Sequence, residues 1–393
     1  FKLEELTKSM ESLENFAYQK LSALDRKSLK RSLQETSRLP KSRVIRNGKE
    51  LISFSCNDYL GLSQHPRIIE AIQKAVTIHG TGGGASRLVT GNYPLYNDLE
   101  KRLAELKGTE DACVFGSGYL ANLGIIPSLV GEKDLILIDE LSHSCMFSGT
   151  VLSKSKVLFF HHNDVGHLEA LLKKNRDKHP RALILTDGVF SMDGDLAPIP
   201  ELSSLSLRYD TWLMTDDAHG IGVVGKGRGS SFAFNSVSKV PLQMGTLSKA
   251  VGSYGGYLCA SKSVIDLIKT RARTLIYSTS LAPANIVASI EALKIIESNP
   301  ELIQKPLDHA KSFSKALGLK NPSSAIVPLI LEDTERTLEA SKILEDSGYL
   351  VTAIRPPTVP KGTSRLRFTF SATHSKKDVS SLANIVNKKI IGV

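Results

Sequence analysis

Trp212-Leu213-Met214-Thr215-Asp216-Asp217-Ala218-His219-Gly220 sets an uncharged, mainly apolar run against two acids, a histidine and a glycine. A run this short with apolar flanks reads as a strand buried on both faces, and the acid marks the point where it leaves the core. The same grammar occurs at Leu135 to Ile138 before Asp139, and at Leu183 to Thr186 before Asp187. Helix-length segments separate these runs. Strand and helix alternating in this way predict an α/β fold whose sheet is mainly parallel, with helices on both faces. In such sheets the ligand site forms beyond the carboxyl ends of the strands, where all three acids fall.

Outward from that centre, Val114-Phe115 predicts another strand, followed by Gly116-Ser117-Gly118-Tyr119 and a helix. Toward the N-terminus, helices are expected from about Pro66 to His79 and from Tyr96 to Lys107, each closed by a glycine (Gly80, Gly108). Arg46-Asn47-Gly48-Lys49-Glu50 reads as a hairpin turn before a strand at Leu51 to Ser55. Residues 1 to about 40 read as an amphipathic helical segment, with Leu21, Leu24, Leu29 and Leu33 among charges. After about residue 285 the rhythm changes to long helices (Ala284 to Glu297, Thr334 to Asp346) with strands near Ala325 to Leu331 and Arg365 to Phe370. The expected division is therefore an N-terminal helix and hairpin segment (1–55), a large α/β domain (56–285) and a small α+β C-terminal domain (286–393).

The chain has 393 residues, 41% of them hydrophobic and 23% charged, as in enzyme-sized globular proteins. Its longest uncharged run, Ala112 to Gly131, carries glycines and a proline, which makes a poor membrane helix. No stretch of the sequence reads as a charged-then-apolar leader, although an opening on Phe1 allows for one that was trimmed. Cys56, Cys113, Cys145 and Cys259 lie far apart without a Cys-x-x-Cys pair, which predicts reduced, mostly buried thiols in a cytoplasmic protein and no metal site. The net charge of +10 sits in the flanks: residues 1–50 hold 12 Lys/Arg against 7 Asp/Glu, residues 301–393 hold 14 against 9, and the middle balances. Basic flanks could bind nucleic acid, but no basic run is interleaved with aromatics. An anionic small ligand suits them better, and nothing points to a nucleic-acid or membrane partner.

Several motifs then carry chemistry, each with a plainer alternative. In Gly245-Thr246-Leu247-Ser248-Lys249-Ala250-Val251-Gly252-Ser253-Tyr254-Gly255-Gly256, Lys249 is either a solvated loop lysine or one whose small, apolar company favours the neutral amine a Schiff base needs. Asp216 either caps the next helix or keeps a pyridine nitrogen protonated. Gly116-Ser117-Gly118-Tyr119 opens a helix, where free N–H groups favour a phosphate; it does not complete Gly-x-Gly-x-x-Gly, so a dinucleotide reading is weak. His143 is either a structural histidine or a ring that stacks on an aromatic cofactor. Arg355, within Ile354-Arg355-Pro356-Pro357-Thr358-Val359-Pro360, is either an exposed loop arginine or a carboxylate clamp on a stiff frame. Together they describe a pyridoxal-phosphate enzyme acting on an amino acid.

These stretches, with Ser55-Cys56-Asn57-Asp58-Tyr59-Leu60-Gly61-Leu62 and Gly188-Val189-Phe190-Ser191-Met192-Asp193-Gly194-Asp195, resemble the α-oxoamine synthase family of fold-type I pyridoxal-phosphate (PLP) enzymes. The resemblance covers most of the chain. It implies a mainly parallel seven-stranded sheet, pyridoxal 5′-phosphate as cofactor, and a homodimer with shared sites. Lys249 would form the Schiff base and later move the Cα proton. Asp216 would pair with the pyridine nitrogen, His219 with the phenolic oxygen, and His143 would stack on the ring with Ser191 near it. Gly118, Tyr119, Thr246 and Ser248 would hold the phosphate, joined by Ser278 and Thr279 of the neighbouring subunit. Arg355 would clamp the amino-acid carboxylate, and Thr358, Asn57 and Arg31 would meet substrate; Arg31 rests on spacing alone. The proline-stiffened stretch around Arg355, with Gly362-Thr363, is most similar to the member that joins L-alanine to pimeloyl-CoA or a pimeloyl-carrier protein with loss of carbon dioxide. The alternative is a sister enzyme using glycine and acetyl-CoA. Asp187 stands where relatives often have glutamate, and Gly82-Gly83-Gly84-Ala85 is a variant of the family's glycine-rich loop.

Overall fold

The buried apolar runs assemble into one sheet of seven strands. Their order across it is Asp111–Phe115, Gly256–Ala260, Leu242–Thr246, Trp212–Asp216, Ala182–Asp187, Leu135–Asp139 and Lys156–Phe160. Gly256–Ala260 runs antiparallel to both neighbours, and the other neighbouring strands pair in parallel. The computed structural model describes residues 2–26 and 29–392, with side chains from residue 11 onward.

Both faces of the sheet are covered, so each inner strand is apolar on both sides. One face packs Ile136, Ile138, Leu183, Leu185 and Met214 against Ile125 and Ile126 of the helix Gly118–Leu129. The other packs Leu135, Leu137, Ile184 and Leu213 against Leu168, Leu172, Leu202 and Leu205. The helix Pro66–His79 begins on its proline as expected; the second spans Pro94–Lys107, starting on a proline two residues before the expected Tyr96, and Gly108 closes it in the left-handed conformation (φ 66°). The helix Pro283–Ser298 joins them through Ile286, Leu293 and Ile296, in a cluster with Ile68, Leu99 and Leu103.

A three-stranded antiparallel sheet (Ile326–Glu332, Ser364–Thr369, Thr352–Ile354) follows toward the C-terminus. Its helices are Pro300–Ala316, Thr334–Asp346 and Lys376–Val386. Their core gathers Phe313, Leu344, Phe368, Phe370 and Leu382, and it takes in Phe54 from the N-terminal part. Lys49–Ser53 pairs in parallel with Tyr349–Leu350, which ties the hairpin to this core.

The N-terminal expectation needs correction. The helix spans Lys2–Arg26; Phe1, Lys27 and Ser28 lie outside the described residues. From Leu29 the chain is not helical, and Thr36–Leu39 is a strand paired with Arg43–Arg46. Pro40 cannot continue a helix, and Lys41 and Ser42 turn the chain at positive φ. The apolar spacing misled because Leu33 packs against nothing: it is fully exposed. The Asn47-Gly48 turn does close a hairpin, with both residues at positive φ, as a two-residue turn matching the strand twist requires. All four cysteines are free, and Cys56 is the only one not buried. Among the described residues no helix is long and apolar enough to cross a membrane.

Candidate active site

The strands Trp212–Asp216 and Leu242–Thr246 lie side by side, so the turns leaving their carboxyl ends bring His219 and Lys249 together. The Lys249 amine is 2.8 Å from His219 Nε2. Around them is a cavity of about 240 Å³ lined by Gly118, Tyr119, His143, Asp216, Thr246 and Ser248, with Cys145, Asp187 and Met244 among the further walls. Residues separated by more than 100 positions thus meet at one end of the sheet.

The Lys249 turn is fixed by backbone bonds from Leu247 N to Gly255 O and from Gly252 N to Lys249 O. Gly252 has φ 73°, and a Cβ there would lie 2.5 Å from Ser63 N, so glycine is required. Burial lowers the Lys249 pKa; Asp216 and Asp187 pull it back up, and Arg367 lowers it. His219 is pushed well below its ordinary value of 6.5, first by burial and then by Lys249, Arg367 and His143, so it is neutral.

Asp216 is held on both oxygens: Asn122 Nδ2 donates to Oδ2 at 2.9 Å and the Ala218 amide to Oδ1 at 2.9 Å. His143 is the N-cap of the helix Ser144–Ser153, its Nδ1 accepting from the Cys145 amide at 3.3 Å. That bond sets the ring's direction. The His143 amide donates to Asp187 Oδ1 at 3.1 Å. Burial and the charge of Asp216 raise the Asp187 pKa well above 3.8, because a second negative charge here is costly.

At the far wall, Ser117 caps the helix Gly118–Leu129 by accepting from Leu120 N, and the first helical bond is Ala121 N to Ser117 O. The Gly118 and Tyr119 amides are left at the open end, where the helix dipole favours an anion. A Cβ on Gly118 would sit 3.3 Å from Thr246 Cβ, and one on Gly256 would sit 2.5 Å from Ser117 O. Gly256 therefore needs to be glycine, and a side chain at Gly118 would crowd Thr246 at the cradle. Thr246 Oγ1 donates to Gly255 O and lies 2.8 Å from Ser248 Oγ. An amine whose pKa burial lowers, a carboxylate, a ring and an anion cradle in one small cavity match the aldehyde, pyridine nitrogen, ring and phosphate of PLP.

The other expected residues lie outside this wall. Asn57 Oδ1 is 3.2 Å from Tyr59 OH, which reaches His219 Nδ1 at 2.6 Å. The Ser191 carbonyl accepts from Arg367 Nε at 2.5 Å. Arg31 Nη2 approaches Thr358 Oγ1 at 3.5 Å, so these two meet although 327 positions apart in sequence. Arg355 precedes the turn closed by Thr358 N to Arg355 O. Ser278 and Thr279 stand with Arg87 and Tyr96 in a separate crevice, and Thr279 bridges to Ser86 beside the glycine-rich loop. In that loop, Gly83 passes so close to Ser280 that a Cβ would lie 2.4 Å from its carbonyl oxygen. Sequence reasoning missed Asn122, Tyr59 and Arg367. A lone amide inside the apolar stretch Leu120 to Ile126 was the available signal for Asn122. Among the described residues no cluster of His, Cys, Asp and Glu could hold a metal.

Comparison with known proteins agrees with this geometry. Residues 49–386 match the family described as aminotransferase class I and II. The chain is 56% identical to the 8-amino-7-oxononanoate synthase of Beijerinckia indica subsp. indica, over 96% of this chain and 98% of that protein. It is 60% identical to the 8-amino-7-oxononanoate synthase of Methylocella silvestris, over 87% and 98%. Among solved structures, a serine palmitoyltransferase carrying PLP superposes with a TM-score of 0.89 at 26% identity, covering 97% of this chain and 99% of that one. The 8-amino-7-oxononanoate synthase of Francisella tularensis gives 0.73 at 25% identity, covering 87% and 98%. The chain belongs to the aminotransferase class I and II family of PLP enzymes, in the branch of the 8-amino-7-oxononanoate synthases.

Proposed function

We propose that this enzyme joins L-alanine to a pimeloyl thioester, releasing carbon dioxide and the free thiol and giving 8-amino-7-oxononanoate for biotin biosynthesis. The observation that carries the reading is the Lys249 amine, lowered in pKa and 2.8 Å from a neutral histidine, in the cavity that also holds Asp216 and the open helix end. The relatives at 56% and 60% identity, matched over 96% and 87% of this chain, are 8-amino-7-oxononanoate synthases, which favours this reaction over its sisters.

PLP, when bound, supplies an aldehyde that takes an amine and a protonated ring that draws off an electron pair. Lys249 would hold that aldehyde, and its freed amine would serve as the base for the Cα proton of the amino acid. Asp216, fixed by Asn122 and Ala218, would keep a proton on the ring nitrogen. His219 would meet the phenolic oxygen, and His143 and Ser191 would hold the ring. Gly118, Tyr119, Thr246 and Ser248 would hold the phosphate, joined in a homodimer by Ser278 and Thr279 of a second copy. Arg355 takes the alanine carboxylate as a fork, with Asn57, Thr358 and Arg31 on the substrate side. Basic residues of the two flanks draw in the anionic donor, pimeloyl-CoA or a pimeloyl-carrier protein, in the cytoplasm.

Purified chain given PLP, L-alanine and pimeloyl-CoA is expected to form 8-amino-7-oxononanoate and carbon dioxide. Turnover of glycine with acetyl-CoA, and none with alanine and pimeloyl donors, would overturn the reading.

A further inference from the structure

The hydrogen-bond chain that ends on Lys249 begins at Arg367. Nη1 and Nη2 of this guanidinium each lie 3.2 Å from Asn57 Oδ1, and Nη2 lies 3.5 Å from Tyr59 OH. A guanidinium only donates, so both lone pairs of Asn57 Oδ1 are taken. The Tyr59 hydroxyl has one proton and two candidate acceptors: Asn57 Oδ1 at 3.2 Å and His219 Nδ1 at 2.6 Å. The first is filled and the second is nearer, so the proton is given to Nδ1. A neutral imidazole that accepts at Nδ1 carries its own hydrogen on Nε2. That nitrogen is the one 2.8 Å from Lys249 Nζ. Two donors cannot share one hydrogen bond; the amine must accept.

We infer that Tyr59 is a positioning residue: its hydroxyl, oriented by Arg367 and Asn57, fixes the tautomer of His219 and thereby keeps the Lys249 amine unprotonated and ready to react. Tyr59 is 1% exposed, and burial raises its phenol to about 12 against the opposing pull of Arg367, so it remains a donor at neutral pH. The charges around the pair frame the effect. His219 faces Lys249, Arg367 and His143, which all disfavour an imidazolium. Lys249 faces Asp216, Asp187 and Cys145, which favour its cation, and Arg367, which opposes it. The Nε2–H of His219 counters the pull of Asp216 at the one atom that reacts. Without Tyr59 the imidazole is free to move its hydrogen to Nδ1, and Nε2 would then accept from an ammonium.

The inference rests on Lys249 being the reactive amine, but its readouts need neither cofactor nor substrate. In the full-length chain freed of cofactor, ¹⁵N NMR should find His219 protonated on Nε2 and bare on Nδ1. The pH midpoint for acetylation of Lys249 by acetic anhydride, followed by peptide mass spectrometry, should rise in Tyr59→Phe by about one unit, the equivalent of one hydrogen bond. Tyr59→Phe should also remove the bias of the His219 tautomer. A wild-type His219 with its hydrogen on Nδ1 overturns the inference, whether or not the variant folds. So does a folded Tyr59→Phe chain in which tautomer and midpoint are both unchanged. Either result would leave the site of cofactor attachment untouched.

Discussion

The Lys107 amine lies 2.6 Å from Asp217 Oδ2, and neither side chain has any exposed surface. The same amine donates to Arg228 O at 2.6 Å, and the Ser230 amide donates to Asp217 Oδ1 at 2.9 Å. Cβ atoms placed on Gly188, Gly220 or Gly229 would come within 2.4 Å of this carboxylate, so the chain folds around it with no space to spare. Asp217 directly follows Asp216, and its ion pair anchors the turn that carries His219. Replacing Lys107 by Met leaves a buried carboxylate without its cation, and the expected loss of stability is about 3–5 kcal/mol. Urea unfolding followed by circular dichroism measures it; a loss near zero would mean that the pair holds nothing in place.

Asn122 serves Asp216 as Lys107 serves Asp217. Its Nδ2 donates to Asp216 Oδ2 at 2.9 Å and lies 3.1 Å from Cys145 Sγ. A hydrogen bond to a charged group is worth about 1.5–3 kcal/mol. Asn122→Ala should therefore bind PLP at least about tenfold more weakly, read by titrating the cofactor's absorbance. Unchanged affinity in a folded variant would remove Asn122 from the site.

His162 adds a pH dependence away from the cavity. Its Nδ1 is 3.2 Å from Asp139 and its Nε2 is 2.9 Å from Asp195. Burial alone would lower its pKa, yet the bonds and charges of the two carboxylates raise it from 6.5 to about 10. The folded state thus binds a proton more tightly than the unfolded chain. The stabilisation is fully present below 6.5 and is lost as pH rises toward 10. The stability gap between wild type and His162→Gln should be largest below 6.5 and shrink as pH approaches 10. Urea midpoints at both ends of that window measure it, and a gap that widens with pH would contradict the assignment.

Much of this was legible in the chain because the large sheet obeys local rules. Apolar runs ending at Asp139, Asp187 and Asp216 mark strands buried on both faces. Pro66, Gly80 and Gly108 mark helix ends that the structure reproduces. The segment after Leu29 was not legible, because apolar spacing counts a leucine whether or not anything packs on it, and Leu33 is exposed. Gly118, Tyr119, His143, Asp216, His219, Thr246, Ser248 and Lys249, all expected from motifs, line one cavity. Asn122 and Arg367 carry no such mark, and Tyr59 stands in the Ser55 to Leu62 stretch without being singled out; each acts by contact with a residue at least 94 positions away, which no short motif encodes.

Attachment of the cofactor at Lys249 is the claim on which the rest depends, and borohydride reduction of the PLP-saturated protein, followed by peptide mass spectrometry, tests it most directly. The account predicts a stable pyridoxyl group on the peptide containing Lys249 and none in Lys249→Ala. A label on a different lysine, or an equal label in the variant, would contradict it.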